Sequence, residues 1–135
     1  MWNALEVTKE TPKDYGAVFD TISVCLSKGL GCPIGSVLIG DSVIMEKAIR
    51  IRKMLGGGMR QVGVLAAAGL YALDHHRKRL SEDHQKANEI GQILQNKSYV
   101  AKLQPIETNI LIFELASHIN ADQFVLNLEK KRSFN

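Results

Sequence analysis

The apolar and polar positions predict a succession of short elements. Phe19-Asp-Thr-Ile-Ser-Val-Cys-Leu26 mixes β-branched and apolar side chains with small polar ones, as a half-buried strand does. Beyond a glycine-rich interval, Gly35-Ser-Val-Leu-Ile-Gly40 predicts a second strand. Upstream of both, Thr11 followed by Pro12 predicts a helix start, with Thr11 as N-cap and Pro12 at the first helical position. Asp41 or Ser42 caps the next helix, in which Ile44, Ala48, Ile51 and Leu55 fall on one face. Gly56-Gly-Gly58 ends that helix, and another opens near Met59. Gln61 to Leu73 is apolar nearly all round, which predicts burial, and Ala66-Ala-Ala-Gly69 allows backbones to approach closely.

Leu73, Leu80, Ala87 and Leu94 recur every seventh residue on a more charged continuation, a one-sided seam too short to specify a coiled coil. Lys97-Ser98 marks the passage into a smaller region. There Ile110-Leu-Ile-Phe-Glu-Leu115 predicts a strand. Asn120 caps a helix over 124–128, with Gln123 placed to return a side chain to the cap. The fold class expected is α/β.

Composition narrows this picture only a little. A chain of 135 residues with 45% apolar content is ordinary for a globular domain. The net charge of +3 is spread among acidic residues, which argues against nucleic acid as a partner. The basic clusters at Lys47 to Lys53, Arg77 to Arg79 and Lys130 to Arg132 read as solvated helix faces. Cys25 and Cys32 make no disulfide framework and suggest a reducing compartment. No signal peptide and no apolar run of membrane-spanning length stand out, so a cytoplasmic location is expected. His76 and His84 are eight apart, and His75 and His76 diverge on a helix, so no metal site is expected from them.

The chemistry centres on Ser23-Val-Cys-Leu-Ser-Lys-Gly-Leu-Gly-Cys-Pro-Ile-Gly-Ser36. Lys28 stands where the first strand gives way to glycines. An amine sheltered there has its charged form disfavoured, and the free base attacks carbonyls, the chemistry of a Schiff-base lysine. The alternative is a solvated lysine at a hairpin tip. A Ser27–Lys28 dyad is disfavoured, because neighbours on a strand face opposite ways. Three glycines before a helix N-terminus, with Arg60 beside them, could hold an anion. A plain interhelical turn explains the same residues.

Cys25-Leu-Ser-Lys-Gly-Leu-Gly-Cys-Pro-Ile-Gly-Ser-Val37 resembles the cofactor-lysine segment of the low-specificity threonine aldolases, pyridoxal-phosphate enzymes of the aspartate-aminotransferase fold, or fold type I. The likeness continues through Arg50-Ile-Arg-Lys-Met-Leu-Gly-Gly-Gly-Met-Arg-Gln61 and Gly63-Val-Leu-Ala-Ala-Ala-Gly-Leu-Tyr-Ala-Leu-Asp74. It extends to Glu82-Asp-His84, to Trp2-Asn-Ala-Leu5 and to Glu107-Thr-Asn-Ile110. The resemblance implies that Lys28 carries pyridoxal 5'-phosphate as a Schiff base. It implies that Lys53 and Arg60 reach the active site of a neighbouring subunit, near cofactor and substrate, in a homo-oligomer, a dimer or tetramer. Cys32 stands where the family often has another small residue.

The activity implied is retro-aldol cleavage of threonine or allo-threonine to glycine and acetaldehyde. Residues 1–96 would be the C-terminal part of the cofactor-binding large domain, and 97–135 the beginning of the small α+β C-terminal domain. Relative to that family the chain is expected to be an internal piece. The aspartate that pairs with the cofactor ring nitrogen, the phosphate loop and the ring-stacking histidine lie upstream of Trp2 in the family, and the substrate-carboxylate arginine lies downstream. Much of the sheet these elements would cover is then missing, so exposed apolar surface is expected. The rival readings are a non-catalytic fragment of such an enzyme, a helical interaction module using the Leu73–Leu94 seam, and a related β-eliminating amino-acid lyase.

Overall fold

The computed structural model describes residues 1–132; the last three residues of the tail Arg132-Ser-Phe-Asn135 lie outside them. The fold is mixed α/β, in two compact units that divide between Glu82 and Asp83.

In the first unit, α1 (Trp2–Leu5) and α2 (Pro12–Val18) precede an antiparallel pair of strands, β1 (Thr21–Cys25) and β2 (Ser36–Gly40). The helix start at Thr11 is as the sequence predicts. The Thr11 hydroxyl accepts from the Asp14 N–H, and the Asp14 carboxylate accepts from the Thr11 N–H at 2.7 Å, so both orphan donors are satisfied. The strands register Val24 against Val37 and Ile22 against Ile39. Only Val24 is buried; Val37, Leu38 and Ile39 are each about half exposed, because a lone strand pair covers neither of its own faces.

Helix α3 (Ser42–Met54) is capped by Asp41, whose carboxylate accepts from the Ile44 N–H at 2.8 Å. The expected apolar stripe is only half used. Ile44 and Ala48 are partly buried, whereas Ile51 is exposed and Leu55 stands 82% exposed. The helix ends in a Schellman turn: the Gly56 N–H donates to the Lys53 carbonyl at 3.1 Å, and the Gly57 N–H donates to the Arg52 carbonyl at 2.7 Å. Gly56 takes φ +80°, where a side chain would be strained.

The next helix does not open near Met59. Gln61 adopts φ +54°, which breaks the helical path, and α4 runs Gly63–Tyr71. Nor is α4 wrapped as its composition predicts: Val64, Leu70 and Tyr71 are exposed, since no described element covers that side. A π-helical turn, Ala72–His76, and a 3-10 turn, Arg77–Arg79, lead into α5 (Leu80–Gln95). In the first unit Leu80 is buried and Leu73 half-buried; in the second Ala87 is buried and Leu94 half-buried, so the predicted seam is turned from solvent within each.

The second unit holds the rest of α5, the strand pair β3 (Val100–Leu103) and β4 (Phe113–Leu115), and α6 (Ala121–Arg132). The strand expected from Ile110 is shorter. Ile110 and Ile112 are exposed, although the Ile112 carbonyl still accepts from the Gln104 N–H. Asn120 caps α6 through Gln123 N–H at 2.9 Å. The Gln123 side chain donates to Asn127 instead of returning to the cap, so the expected capping box is half formed.

The core is sparse. Leu30, Cys32 and Ala72 form a buried cluster with Trp2, Leu26 and Leu73 against it. The chain exposes 10676 Å². Two separate compact units of half its mass would together expose roughly 8,500 Å². The expectation of exposed apolar surface therefore holds.

Two outcomes follow from these local geometries. Gly16 lies inside α2 with open space around it, so Gly16→Ala raises stability by about 0.5–1 kcal/mol, while Gly56→Ala at positive φ lowers it by about 1–2 kcal/mol. Urea unfolding must show midpoints moving in opposite directions. The hydrogen bond from the Thr11 N–H, followed by that from its hydroxyl, holds Asp14 below the ordinary 3.8. The folded form thus favours the carboxylate, and the cap's contribution is present above the unfolded value and lost as pH falls through the lower folded one. An NMR titration of Asp14 with its midpoint at or above 3.8 would contradict the capping box.

Candidate functional site

The lysine loop joins β1 to β2. Its neck is closed where the Leu26 N–H donates to the Gly35 carbonyl at 3.0 Å, and the Cys32 N–H donates to the Leu26 carbonyl at 3.1 Å. Inside this ring, the Gly31 N–H donates to the Lys28 carbonyl at 2.7 Å and completes a turn. Gly31 takes φ +68°, which suits only glycine well. The loop is anchored below by Leu30, 2% exposed, and by Leu80, whose Cδ2 lies 3.1 Å from where a Cβ on Gly29 would stand. The Cys32 thiol donates to the Ala68 carbonyl at 3.8 Å and ties the loop to α4.

Lys28 itself is exposed. The sheltered strand end predicted for it is not built by the described residues; the side chain occupies the tip of a hairpin connection. It borders a cavity of about 230 Å³ that Trp2, Asn3, Cys25, Gly29 and Leu80 also line. The Cys25 thiol in that lining is lowered from its ordinary 9.0. The Ser27 hydroxyl is the largest cause, then the Ser27 backbone N–H, with the positive charge of Lys28 contributing less. Ser27 thus partners Cys25, at 3.7 Å.

Lys53 and Arg60 lie elsewhere. Lys53 is in the last turn of α3, and its Nζ is 3.5 Å from where a Cβ on Gly58 would sit, so the ammonium folds over the glycine turn. Arg60 is exposed in the turn before α4. Neither lines the cavity beside Lys28. Four residues separate Gly58 from Gly63, so the three glycines do not present their amides at a helix N-terminus, and the anion site built on that placement is not formed. The turn instead borders an apolar hollow of about 460 Å³ with Leu26, Val37, Arg52, Met59 and Val62.

Sequence reasoning missed two residues. His76, from which no metal site is expected, has a partner that spacing does not predict. Its Nδ1 donates to the Leu30 carbonyl at 2.7 Å, across forty-six positions that no local pattern links. Trp2 carries an indole N–H that is buried and unpartnered among the described residues, and it lines the Lys28 cavity. Arg77, expected on a solvated face, lies 5.3 Å over the Trp2 ring.

A pyridoxal phosphate needs an amine to hold its aldehyde, donors for its anionic groups and an acid for its ring nitrogen. The cavity offers the first in Lys28; no carboxylate is among its lining residues. The residues present fit the attachment of the cofactor.

The chain is 44% identical over 114 residues to a low-specificity L-threonine aldolase 1 of Arabidopsis thaliana, covering 82% of this chain and 32% of that protein. It is 43% identical over 111 residues to a low specificity L-threonine aldolase of Escherichia coli O157:H7, covering 82% and 33%. With the low specificity L-threonine aldolase of Saccharomyces cerevisiae it shares 37% identity over 127 residues, covering 93% and 33%. The chain thus spans about a third of the length of these relatives. Residues 1–118 match the beta-eliminating lyase family, and with these relatives they show that the chain belongs to it.

Proposed function

We propose that Lys28 is the cofactor-bearing lysine of a pyridoxal-phosphate lyase that cleaves β-hydroxy-α-amino acids such as threonine or allo-threonine to glycine and an aldehyde. The observation that carries this reading is the placement of Lys28. It is a primary amine beside a cavity, on a glycine loop anchored to the core, in a chain whose relatives are threonine aldolases.

Lys28 would hold the cofactor through its amine, with Trp2 among the residues lining the space beside it. When bound, the cofactor supplies an electron sink for the breaking Cα–Cβ bond. Lys53 and Arg60 act on a different copy of the chain. Their exposure and their place outside the Lys28 cavity support a cationic pair turned toward a neighbouring subunit, where they attract the anionic groups of cofactor and substrate. The working form is then a homo-oligomer. The uncovered apolar side chains of β2 and α4 agree with that.

In fold type I terms, residues 1–96 belong to the large cofactor-binding domain and 97–135 begin the small C-terminal domain. No helix among the described residues is long and apolar enough to cross a membrane, and Cys25 and Cys32 are free thiols. A cytoplasmic setting keeps them reduced.

A second reading has its own support. The Lys28 cavity has no carboxylate in its lining and the chain spans a third of its relatives, which favours a piece that carries the lysine without turning over. One experiment separates the readings. The chain is incubated with pyridoxal 5'-phosphate, reduced with borohydride and mapped by mass spectrometry; separately, acetaldehyde release from threonine is followed. Label concentrated on Lys28 is expected, and Lys28→Arg should remove it. Label scattered evenly over Lys47, Lys53, Lys86 and Lys102 refutes the assignment. Selective label without acetaldehyde identifies the inert piece.

A further inference from the structure

The peptide group between Leu30 and Gly31 is held on both sides. Its carbonyl accepts from His76 Nδ1 at 2.7 Å, and its N–H donates to the Lys28 carbonyl at 2.7 Å. A backbone carbonyl only accepts, so Nδ1 of His76 carries the proton. Three dipoles therefore stand in file: the imidazole N–H, the Leu30–Gly31 peptide and the Lys28 carbonyl, each polarising the next. Gly31 is at φ +68°, a conformation that glycine leaves easily when nothing restrains it.

The imidazole is placed in its turn. His76 is half-buried at the end of the π-helical turn, four residues after Ala72, which is 1% exposed. Tyr71 meets it edge-on, with ring centroids 5.5 Å apart and planes at 86°. The neighbouring His75 takes a different course: it stacks flat on Tyr71 at 4.1 Å and bonds the Tyr71 carbonyl through Nδ1. The wide turn thus sends one histidine back along the helix and the other to the loop. Such turns are frequent where a helix serves a site.

We propose that His76 is a positioning residue for Lys28. By fixing the Leu30–Gly31 peptide it fixes the turn from which the lysine amine projects. The inference rests on the reading of Lys28 as the cofactor lysine. Without the imidazole donor, the peptide rotates, the Lys28 carbonyl loses its partner, and the amine samples many directions.

The test uses the 135-residue chain with His76→Asn and His76→Leu. Asparagine keeps a donor near the Nδ1 position, and leucine keeps bulk without a donor. Amide exchange by NMR reads the turn directly. In the parent chain the Gly31 amide should exchange at least about tenfold more slowly than that of exposed Gly29; the leucine variant should speed it about five- to tenfold, and the asparagine variant should stay within about twofold. The share of pyridoxal 5'-phosphate label on Lys28, relative to Lys53, should fall by a similar factor in the leucine variant and recover with asparagine.

Equal exchange at Gly31 and Gly29 in the parent chain overturns the latch without any variant. A loosened Gly31 with an unchanged Lys28 share overturns positioning. Unselective label in the parent chain with a protected Gly31 instead overturns the cofactor-lysine reading while leaving the imidazole contact in place.

Discussion

The first unit depends on one contact, the seating of the lysine loop on the helical stretch between Ala68 and Leu80. Leu30 and Cys32 enter a cluster with Ala72, and Leu80 closes the space under Gly29. Burying a leucine contributes about 2 kcal/mol. Few other leucines in this chain are fully buried, so this small cluster bears much of the unit's apolar gain. Glycine at position 29 leaves room for Leu80, and glycine at 31 takes the positive φ of the turn. The lysine that carries the proposed chemistry thus projects from a loop whose Leu30 and Cys32 are buried.

Away from that contact the chain is poorly covered. β2 is exposed along its whole length, α3 buries only the first part of its stripe, and α4 shows apolar side chains to solvent. These surfaces have the composition of interior elements and the accessibility of exterior ones. Their physical demand is for further apolar cover, whether from additional chain or from further subunits. Lys28 answers to the same logic: its loop is anchored from below, and the described residues leave its upper side open.

Local chemistry was the legible part. Thr11, Asp41 and Asn120 each cap the helix they were expected to cap, because capping needs only a side chain and the next three residues. The two strands about Lys28 were visible from their β-branched content, and the seam from Leu73 to Leu94 from its spacing. Gln61 was not legible. A non-glycine residue at positive φ carries no sequence signal, and it displaced the next helix start by four residues. Val64 is exposed where burial is expected, and the stripe ending in Ile51 and Leu55 is uncovered, because apolar character states a preference that only neighbouring elements can satisfy.

The sequence by itself determined the α/β class, the caps, the glycine loop around Lys28 and the family, since each is written in adjacent residues or in an ordered series of short blocks. Only the tertiary structure decided that Lys28 stands exposed over a hairpin tip, that Lys53 and Arg60 lie outside its cavity, and that His76 reaches the Leu30 carbonyl. The reason is distance along the chain. A contact between residues forty-six apart depends on how a helix turns and where a loop is pressed against it, and no local pattern encodes either.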